Sequence, residues 1–240
     1  MKIALLGYGK MGKAIETIAI KRGHEIVLKI GSKNLDELTS ENLKKADVAI
    51  DFSMPHTAFN FISKSLDARV STISGTTAWL DKLPEIETLA TEKQVGFIYA
   101  SNFSLGVNLF FEMNKTLAQV MGNHESFDVK MKEIHHIHKV DEPSGTAITL
   151  AEGILEHQSK KDNWSLENKN TDDLFIDVER TGEVPGTHIV EYTSPYDKIT
   201  FEHEAINRDG FALGAVVAAE WIIGKSKSGS FSMRDVLFSS

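Results

Sequence analysis

Lys2-Ile3-Ala4-Leu5-Leu6-Gly7-Tyr8-Gly9-Lys10-Met11-Gly12 is the stretch on which the fold turns. Five residues rich in aliphatic side chains read as a buried strand, and the glycines that follow open a helix over Gly12 to Arg22. In that setting each glycine has a task. One permits the tight turn, the next lets a pyrophosphate approach the backbone, and the third lets helix and strand pack closely. The helix start adds unpaired N–H groups and the positive end of a dipole. Gly7, Tyr8, Gly9, Lys10, Met11 and Gly12 are therefore candidate cofactor-binding residues; a plain strand-to-helix turn is the alternative.

Downstream, the pattern repeats. Strands are expected at Glu25 to Ile30, Val48 to Phe52, Arg69 to Ser74 and Gly96 to Ala100, alternating with helices at Pro55 to Leu66 and Leu83 to Glu92. Short apolar runs alternating with helical spacing predict an α/β domain: a Rossmann-type parallel sheet covered on both faces. The ligand crevice of such a sheet lies at the carboxyl ends of its strands. Asp51-Phe52-Ser53, Ser74-Gly75-Thr76-Thr77 and Ala100-Ser101-Asn102-Phe103 occupy those places and should converge on ribose and nicotinamide. After the second strand the chain reads Lys29-Ile30-Gly31-Ser32-Lys33, with no carboxylate for the ribose hydroxyls. Ser32 and Lys33 can instead bind a 2′-phosphate, which favours NADPH, with NADH as the alternative; the competing reading has both lysines merely solvated.

Beyond Phe103 the periodicity changes. A helix over Gly106 to Met121 precedes period-two segments at Phe127-Val129-Met131, Ile176-Val178 and Ile199-Phe201-His203, which predict an antiparallel sheet with one buried face. This is a second domain, of α+β type. The expected division is residues 1–103 plus 208–240 for the dinucleotide-binding domain and 104–207 for a substrate-binding and oligomerisation domain. In the tail, a helix over Phe211 to Ile223 precedes a possible last strand, Met233 to Phe238. Residues 157–171 receive no role.

The 240 residues are 41% hydrophobic and 25% charged, ordinary globular composition. No cysteine is present, which excludes disulfides, thiolate metal sites and a cysteine nucleophile and suits a cytoplasmic protein. The N-terminal apolar run is too short for a signal peptide or a membrane span. A formal charge of −8 spread along the chain disfavours generic attraction to nucleic acid or to a membrane surface.

The densest chemical signal is Glu133-Ile134-His135-His136-Ile137-His138-Lys139-Val140-Asp141-Glu142-Pro143-Ser144-Gly145-Thr146. Histidine exchanges protons near neutral pH, and lysine holds anions or donates a proton. Strand alternation would place His136 and His138 on one face and His135 on the other, so no three-ligand metal site follows locally and none is expected. Ser144-Gly145-Thr146 precedes a helix over Ala147 to Glu156, where a serine cap and a carboxylate site are compatible. In an extended chain His135 and Lys139 would lie roughly 13 Å apart at about 3.3 Å per residue. To serve one small substrate, the backbone must curl between them.

The ordered series GYGKMGK from Gly7, DFS from Asp51, SGTT from Ser74, SNFSLGVN from Ser101, EIHHIHKVDEPSGTA from Glu133 and FSMRDVL from Phe231 strongly resembles the dihydrodipicolinate reductase family, also called 4-hydroxy-tetrahydrodipicolinate reductases. The resemblance implies NAD(P)H-dependent reduction of 4-hydroxy-tetrahydrodipicolinate with loss of water, in diaminopimelate and lysine synthesis. It implies a homotetramer joined through the second domain's sheets. It implies His135 as general acid/base, Lys139 as proton donor, His136, Gly145 and Thr146 as substrate contacts, and Ser144 with Lys139 as holders of the dicarboxylate. Gly7 to Gly12, Gly75 to Thr77 and Ala100 to Phe103 match the family's cofactor segments. The glycine loop is one residue shorter than in many members, and the acidic residue after the second strand is missing. From the residues alone, the reading stops at an NAD(P)-dependent reductase of a small anion, against another two-domain dehydrogenase or a non-catalytic nucleotide sensor.

Overall fold

The computed structural model describes residues 1–224 and 227–239. The chain divides into two compact units, Met1–Leu105 with Asp209–Ser240, and Gly106–Arg208.

The first unit opens with β1 (Lys2–Leu6), α1 (Lys10–Lys21), β2 (Glu25–Ile30), α2 (Ser40–Leu43), β3 (Val48–Asp51), α3 (Pro55–Asp67), β4 (Ser71–Ser74), α4 (Leu83–Lys93) and β5 (Gly96–Tyr99). β1 and β2 cover the spans expected for them. β1 and β3 are apolar almost throughout because neighbours cover both faces; Ile3, Ala4, Leu5, Leu6, Val48, Ala49 and Ile50 are all buried. On one face Ile3, Leu5 and Ile50 pack with Ile15 and Ala19 of α1; on the other Ala4, Leu6 and Ala49 pack with Leu43 and Phe61.

The second unit follows with α5 (Leu105–Met121), β6 (Asp128–His135), α6 (Gly145–Leu155), β7 (Asn163–Ser165), β8 (Asp173–Arg180), β9 (Thr187–Thr193) and β10 (Lys198–Glu204). The chain then forms α7 (Asp209–Gly224), β11 (Gly229–Phe231) and α8 (Met233–Phe238). β11 pairs in parallel with β5 and completes the six-stranded sheet β11-β5-β4-β3-β1-β2, in which every pairing is parallel. β2 and β3 flank β1, so the strand order reverses there and the crevice of a doubly wound sheet opens at the ends of β1 and β3. The Rossmann-type class expected from the sequence is the one observed.

Two expectations are corrected. Met233 to Phe238 is helical, because Ser232 and Asp235 cap it reciprocally: the Asp235 N–H donates to Ser232 Oγ and the Ser232 N–H to Asp235 Oδ2 at 2.8 Å. Met233 and Val236, three apart, supply its buried stripe. The second sheet, β10-β9-β6-β8-β7, is mixed rather than antiparallel. β6 runs parallel to β8, and β8 to β7, since α6 lies between β6 and β8 and a parallel pair needs a crossover of this kind.

One face of this mixed sheet carries Val129, Met131, Leu174, Ile176, Val190 and Tyr192, packed on α5 and α6 through Phe110, Ala118, Leu150 and Ile154. The opposite face holds Lys130 against Glu191 at 3.1 Å and Lys132 against Glu179 at 2.8 Å, interleaved with Ile134, Phe175 and Ile189. Residues 157–171, given no role above, include β7 and Lys161. The Lys161 side chain is almost fully buried and reaches Asp128 at 2.8 Å and the Thr171 carbonyl at 2.7 Å, which ties this segment to the start of β6.

Candidate active site

The glycine loop meets three different physical demands. Gly7 has φ of +94°, and a Cβ there would lie 2.2 Å from the Phe52 carbonyl oxygen. A Cβ on Gly12 would lie 2.5 Å from the Gly7 oxygen, so this glycine lets α1 close on the loop. Gly9, the residue before α1, has open space where its Cβ would be, and the helix start has no side-chain cap. An open, uncapped helix N-terminus with room for backbone approach fits a pyrophosphate. Beside it is a cavity of about 330 Å³ whose walls include Gly7, Gly9, Ser32, Phe52, Ser53 and His56. Tyr8 and Met11 pack partly against the apolar core, and Lys10 is the exposed first residue of α1.

At the end of β2, Asn34 organises the turn: its Oδ1 accepts from the Gly31 N–H and its amide donates to the Lys29 carbonyl, both at 2.8 Å. Lys29 is paired with Glu16 at 2.6 Å, and Tyr8 donates to the same carboxylate. Lys33 makes no ion pair among the described residues, and it lines an open depression with Ser32, Lys29 and Lys13. Lys13 was not singled out by the sequence reading; its position three residues into α1 gave no signal.

The other strand ends are tied together by Asp51, fully buried. Its Oδ2 accepts from Ser74 Oγ at 2.9 Å and Thr76 Oγ1 at 2.8 Å, and Thr76 Oγ1 accepts from the Ser53 N–H at 2.9 Å. Burial raises the Asp51 carboxyl to about 6 against the opposing hydrogen bonds. Thr76 therefore works inside this network, while Thr77 and Ser101 are exposed. Phe52 stacks obliquely on Phe103 at 5.7 Å, and a Cβ on Gly75 would overlap the Phe52 ring. Asn102 Oδ1 accepts from the Ser104 N–H at 2.8 Å, and Ala100 is half-buried beside the core.

In the second unit, β6 stops at His135, so His136 and His138 do not continue the alternation expected of a strand. The Lys139 N–H instead donates to the His136 carbonyl at 3.1 Å, and the chain curls as a shared site requires. The curl brings the Lys139 charge close enough to be felt at His135. Lys139 Nζ is held by both Asp141 oxygens, at 2.7 and 2.8 Å. His136 Nε2 lies 3.1 Å from the Arg208 guanidinium, and His138 pairs with Glu183 at 3.1 Å on the surface.

Glu133 lies at the centre of this group, fully buried. Its oxygens accept from the Ser144 N–H at 3.1 Å, from the Ser144 hydroxyl, and from Arg180 at 2.9 Å. Burial alone would raise this carboxyl, but the His188 imidazole 3.7 Å away and hydrogen bonds from Ser144 and Arg180 hold it at about 2. Ser144 Oγ also accepts from the Ala147 N–H, so it caps α6 while both Ser144 donors face inward. Gly145 and Thr146 then head the helix, with open space beside Gly145. His135 is buried; desolvation, with the neighbouring His188, Lys139 and Arg180 side chains, lowers it to about 4 against the raising effect of Glu133.

Glu133, His135 and His188 bring ligand-type atoms within 4.8 Å of one another, a grouping that local spacing could not reveal because His188 comes from β9. Arg180 and Ser144 already occupy the Glu133 oxygens, so the cluster is built as a hydrogen-bonded ion pair rather than a metal cradle. Sequence reasoning missed Glu133, Arg180, His188 and Arg208. Glu133 was legible from parity, two residues before His135; the others depend on strand pairing and on a distant loop.

Comparison with known proteins is consistent along the chain. The family models "dihydrodipicolinate reductase, N-terminus" and "dihydrodipicolinate reductase, C-terminus" match residues 1–103 and 106–237. A 4-hydroxy-tetrahydrodipicolinate reductase from Christiangramia forsetii is 49% identical over 99% of this chain and 98% of its own length. One from Methanopyrus kandleri is 40% identical over 81% of this chain and 72% of its own. The solved dipicolinate-bound dihydrodipicolinate reductase from Paenisporosarcina sp. TG-14 superposes with a TM-score of 0.79 over 99% of each chain at 23% identity, a likeness of fold. A glycine cradle and a His–Lys curl ahead of a capped helix, within family matches that span nearly every residue, establish that the chain belongs to the dihydrodipicolinate reductase family.

Proposed function

We propose that this chain reduces (2S,4S)-4-hydroxy-2,3,4,5-tetrahydrodipicolinate to tetrahydrodipicolinate with loss of water, using NADPH in preference to NADH, with His135 and Lys139 as its proton-handling residues. Family membership makes it a nicotinamide-dependent oxidoreductase of the diaminopimelate route to lysine. The observation that carries the residue assignment is the buried His135 beside the Lys139 curl and the start of α6.

A reduced nicotinamide, when bound, would supply the hydride for substrate C4. The residues that would hold the cofactor are the Gly7–Gly12 loop and the ends of β3, β4 and β5. Lys33, Ser32 and Lys13 support the NADPH preference, since a 2′-phosphate meets cations there and no carboxylate. In the second unit the first-turn amides of α6, at Gly145 and Thr146, suit one substrate carboxylate. His136 with Arg208, and Lys139 exchanging Asp141 for substrate, suit the other. The inward-turned Ser144 hydroxyl supports a role in capping this helix rather than in direct donation to the substrate.

His135, at about 4, is neutral near pH 7 in the free protein. A dianion bound beside it favours the imidazolium, so substrate binding itself loads the proton that the ring returns after hydride addition. Lys139 neutralises the charge that develops on the substrate. The outer face of the mixed sheet, with Ile134, Phe175 and Ile189 among its charge pairs, supports pairing of copies into the proposed homotetramer. Among the described residues no helix is long and apolar enough to cross a membrane, and the cysteine-free sequence suits the cytoplasm proposed for it.

The test is consumption of NADPH and NADH with freshly generated substrate, for wild type, His135→Ala and Lys139→Ala. Wild-type turnover that falls about 100-fold or more in both variants, with cofactor affinity kept, supports the assignment. Undiminished turnover in His135→Ala removes that residue from the chemistry.

A further inference from the structure

His135 is the last residue of β6 and Glu133 precedes it by two, so the pleat sends both side chains to one face. His188 stands opposite Glu133 in the β6–β9 register, and Arg180 opposite His135 in the β6–β8 register. The result is a buried carboxylate with an imidazole on two sides. His135 Nδ1 is buried, has no hydrogen-bond partner, and lies 3.6 Å from Glu133 Oε2. That is beyond hydrogen-bond length, and catalytic contacts often tighten only with ligand bound. The other edge of the ring lies over Gly186, with φ of +153°; a Cβ there would come within 3.0 Å of Nε2. The missing side chain leaves that edge uncovered.

We propose that Glu133 is the positioning partner of His135: its carboxylate holds the Nδ1–H tautomer and stabilises the ring when it is protonated, so that Nε2 alone exchanges the proton with substrate. This rests on the reading of His135 as the acid/base. A buried ion pair is weak evidence of a stability role, since apolar replacements of such pairs are often neutral. The Glu133 carboxylate is instead fixed by Arg180 and by both Ser144 donors, and its Oε2 also lies 3.6 Å from His135 Nδ1 and 3.7 Å from His188 Nε2. The charged and titratable groups facing His135 are Glu133 on β6, His188 on β9, Arg180 on β8 and Lys139 in the curl; His203 on β10 faces His188. Glu133 is the carboxylate among them that faces the ring directly, while Asp141 pairs with Lys139. The same carboxylate holds Ser144, and thereby links the ring to the amides at the head of α6.

The experiment compares Glu133→Gln with wild type for NADPH-linked turnover across about pH 5 to 9. Expected is a loss of about 10- to 100-fold in kcat near neutrality, with KM within about threefold. The limb reporting the His135 proton should move about one unit toward acid, because removing a neighbouring carboxylate weakens proton binding by the ring. A carboxylate acting only as a strut would raise KM or lower Tm and leave the limb in place, which overturns the proposal. Should the variant not fold, long-range ¹H–¹⁵N spectra of ligand-free wild type near pH 7, where the ring is neutral, decide: an Nδ1–H tautomer supports the dyad, and an Nε2–H tautomer overturns it. Full activity in His135→Ala would sink the underlying reading as well. Strict dependence on His135 with an unmoved limb in Glu133→Gln would sink the dyad alone.

Discussion

Gly145 and Ser144 are neighbours in sequence with opposite physical demands. Gly145 has open space where its Cβ would be and no positive φ, so Gly145→Ala should leave Tm within about 2 °C, as a surface change of a few tenths of a kcal/mol would. The added methyl would stand over the start of α6, and calorimetric titration with a dicarboxylate probe should show affinity falling about tenfold or more. An unchanged affinity would mean that the helix start does not hold a carboxylate. Ser144→Ala removes a cap, the hydroxyl's bond from the Ala147 N–H, and strips one contact from a buried anion, the hydroxyl's bond to Glu133. Together these should cost about 2 to 4 kcal/mol, read as a lower urea midpoint at unchanged slope. A loss below about 0.5 kcal/mol would show that water replaces the hydroxyl at little cost.

At the scale of elements, the turn after β2 and the last helix carry separate predictions. Lys33→Ala should weaken NADPH binding about fivefold to tenfold, leave NADH binding unchanged, and flatten the salt dependence of the former. Equal losses for both nucleotides would show that Lys33 does not meet the 2′-phosphate. Ser232→Ala should lower stability by about 1 kcal/mol, the usual worth of a cap. These two elements also mark where the sequence was readable and where it was not. β1 and β2 were legible to the residue because a short aliphatic strand ending in glycines has few other places to go. Met233 to Phe238 was misread as a strand, although Ser232-x-x-Asp235 is a capping signal, since apolar residues at both spacings left the period ambiguous. Strand alternation, applied through His138 to weigh a metal site, fails there because the β6 ladder ends at His135 and the curl follows. No local pattern predicts such a stop when the residues beyond it remain polar and partly exposed. Arg180 and His188 complete the site through strand register, which β-branched periodicity does not specify. The mixed pairing of β6 with β8 likewise followed from a crossover whose helix had been recognised while its topological consequence had not.

For the whole molecule, acid should act unequally on the two units. Between about pH 6.5 and 5.5 the carboxylates whose folded values are lowered remain ionised in both folded and unfolded chains and contribute little slope; only toward pH 4.5 do the unfolded glutamates begin to protonate. Three shifted groups do titrate there. His135 falls to about 4 and His203 is also lowered, chiefly by burial, and both belong to the second unit. Unfolding lets these rings take up protons that the fold refuses. The unfolded state then binds more protons, and stability falls as pH drops from 6.5. Asp51, in the first unit, has the opposite sign: its folded value of about 6 lies above the unfolded one, so folding takes up a proton and stability holds or rises over the same range. Native-state hydrogen exchange on the full chain at about pH 6.5, 5.5 and 4.5, corrected for intrinsic rates, should show protection lost first from β6, β8 and β9, while β1, β3 and β4 keep theirs. His135→Gln should remove part of that slope and Asp51→Asn should remove the compensation in the first unit. Protection lost first from β1 and β3 would reverse the assignment of sign, and would mean that groups other than these three govern the acid response.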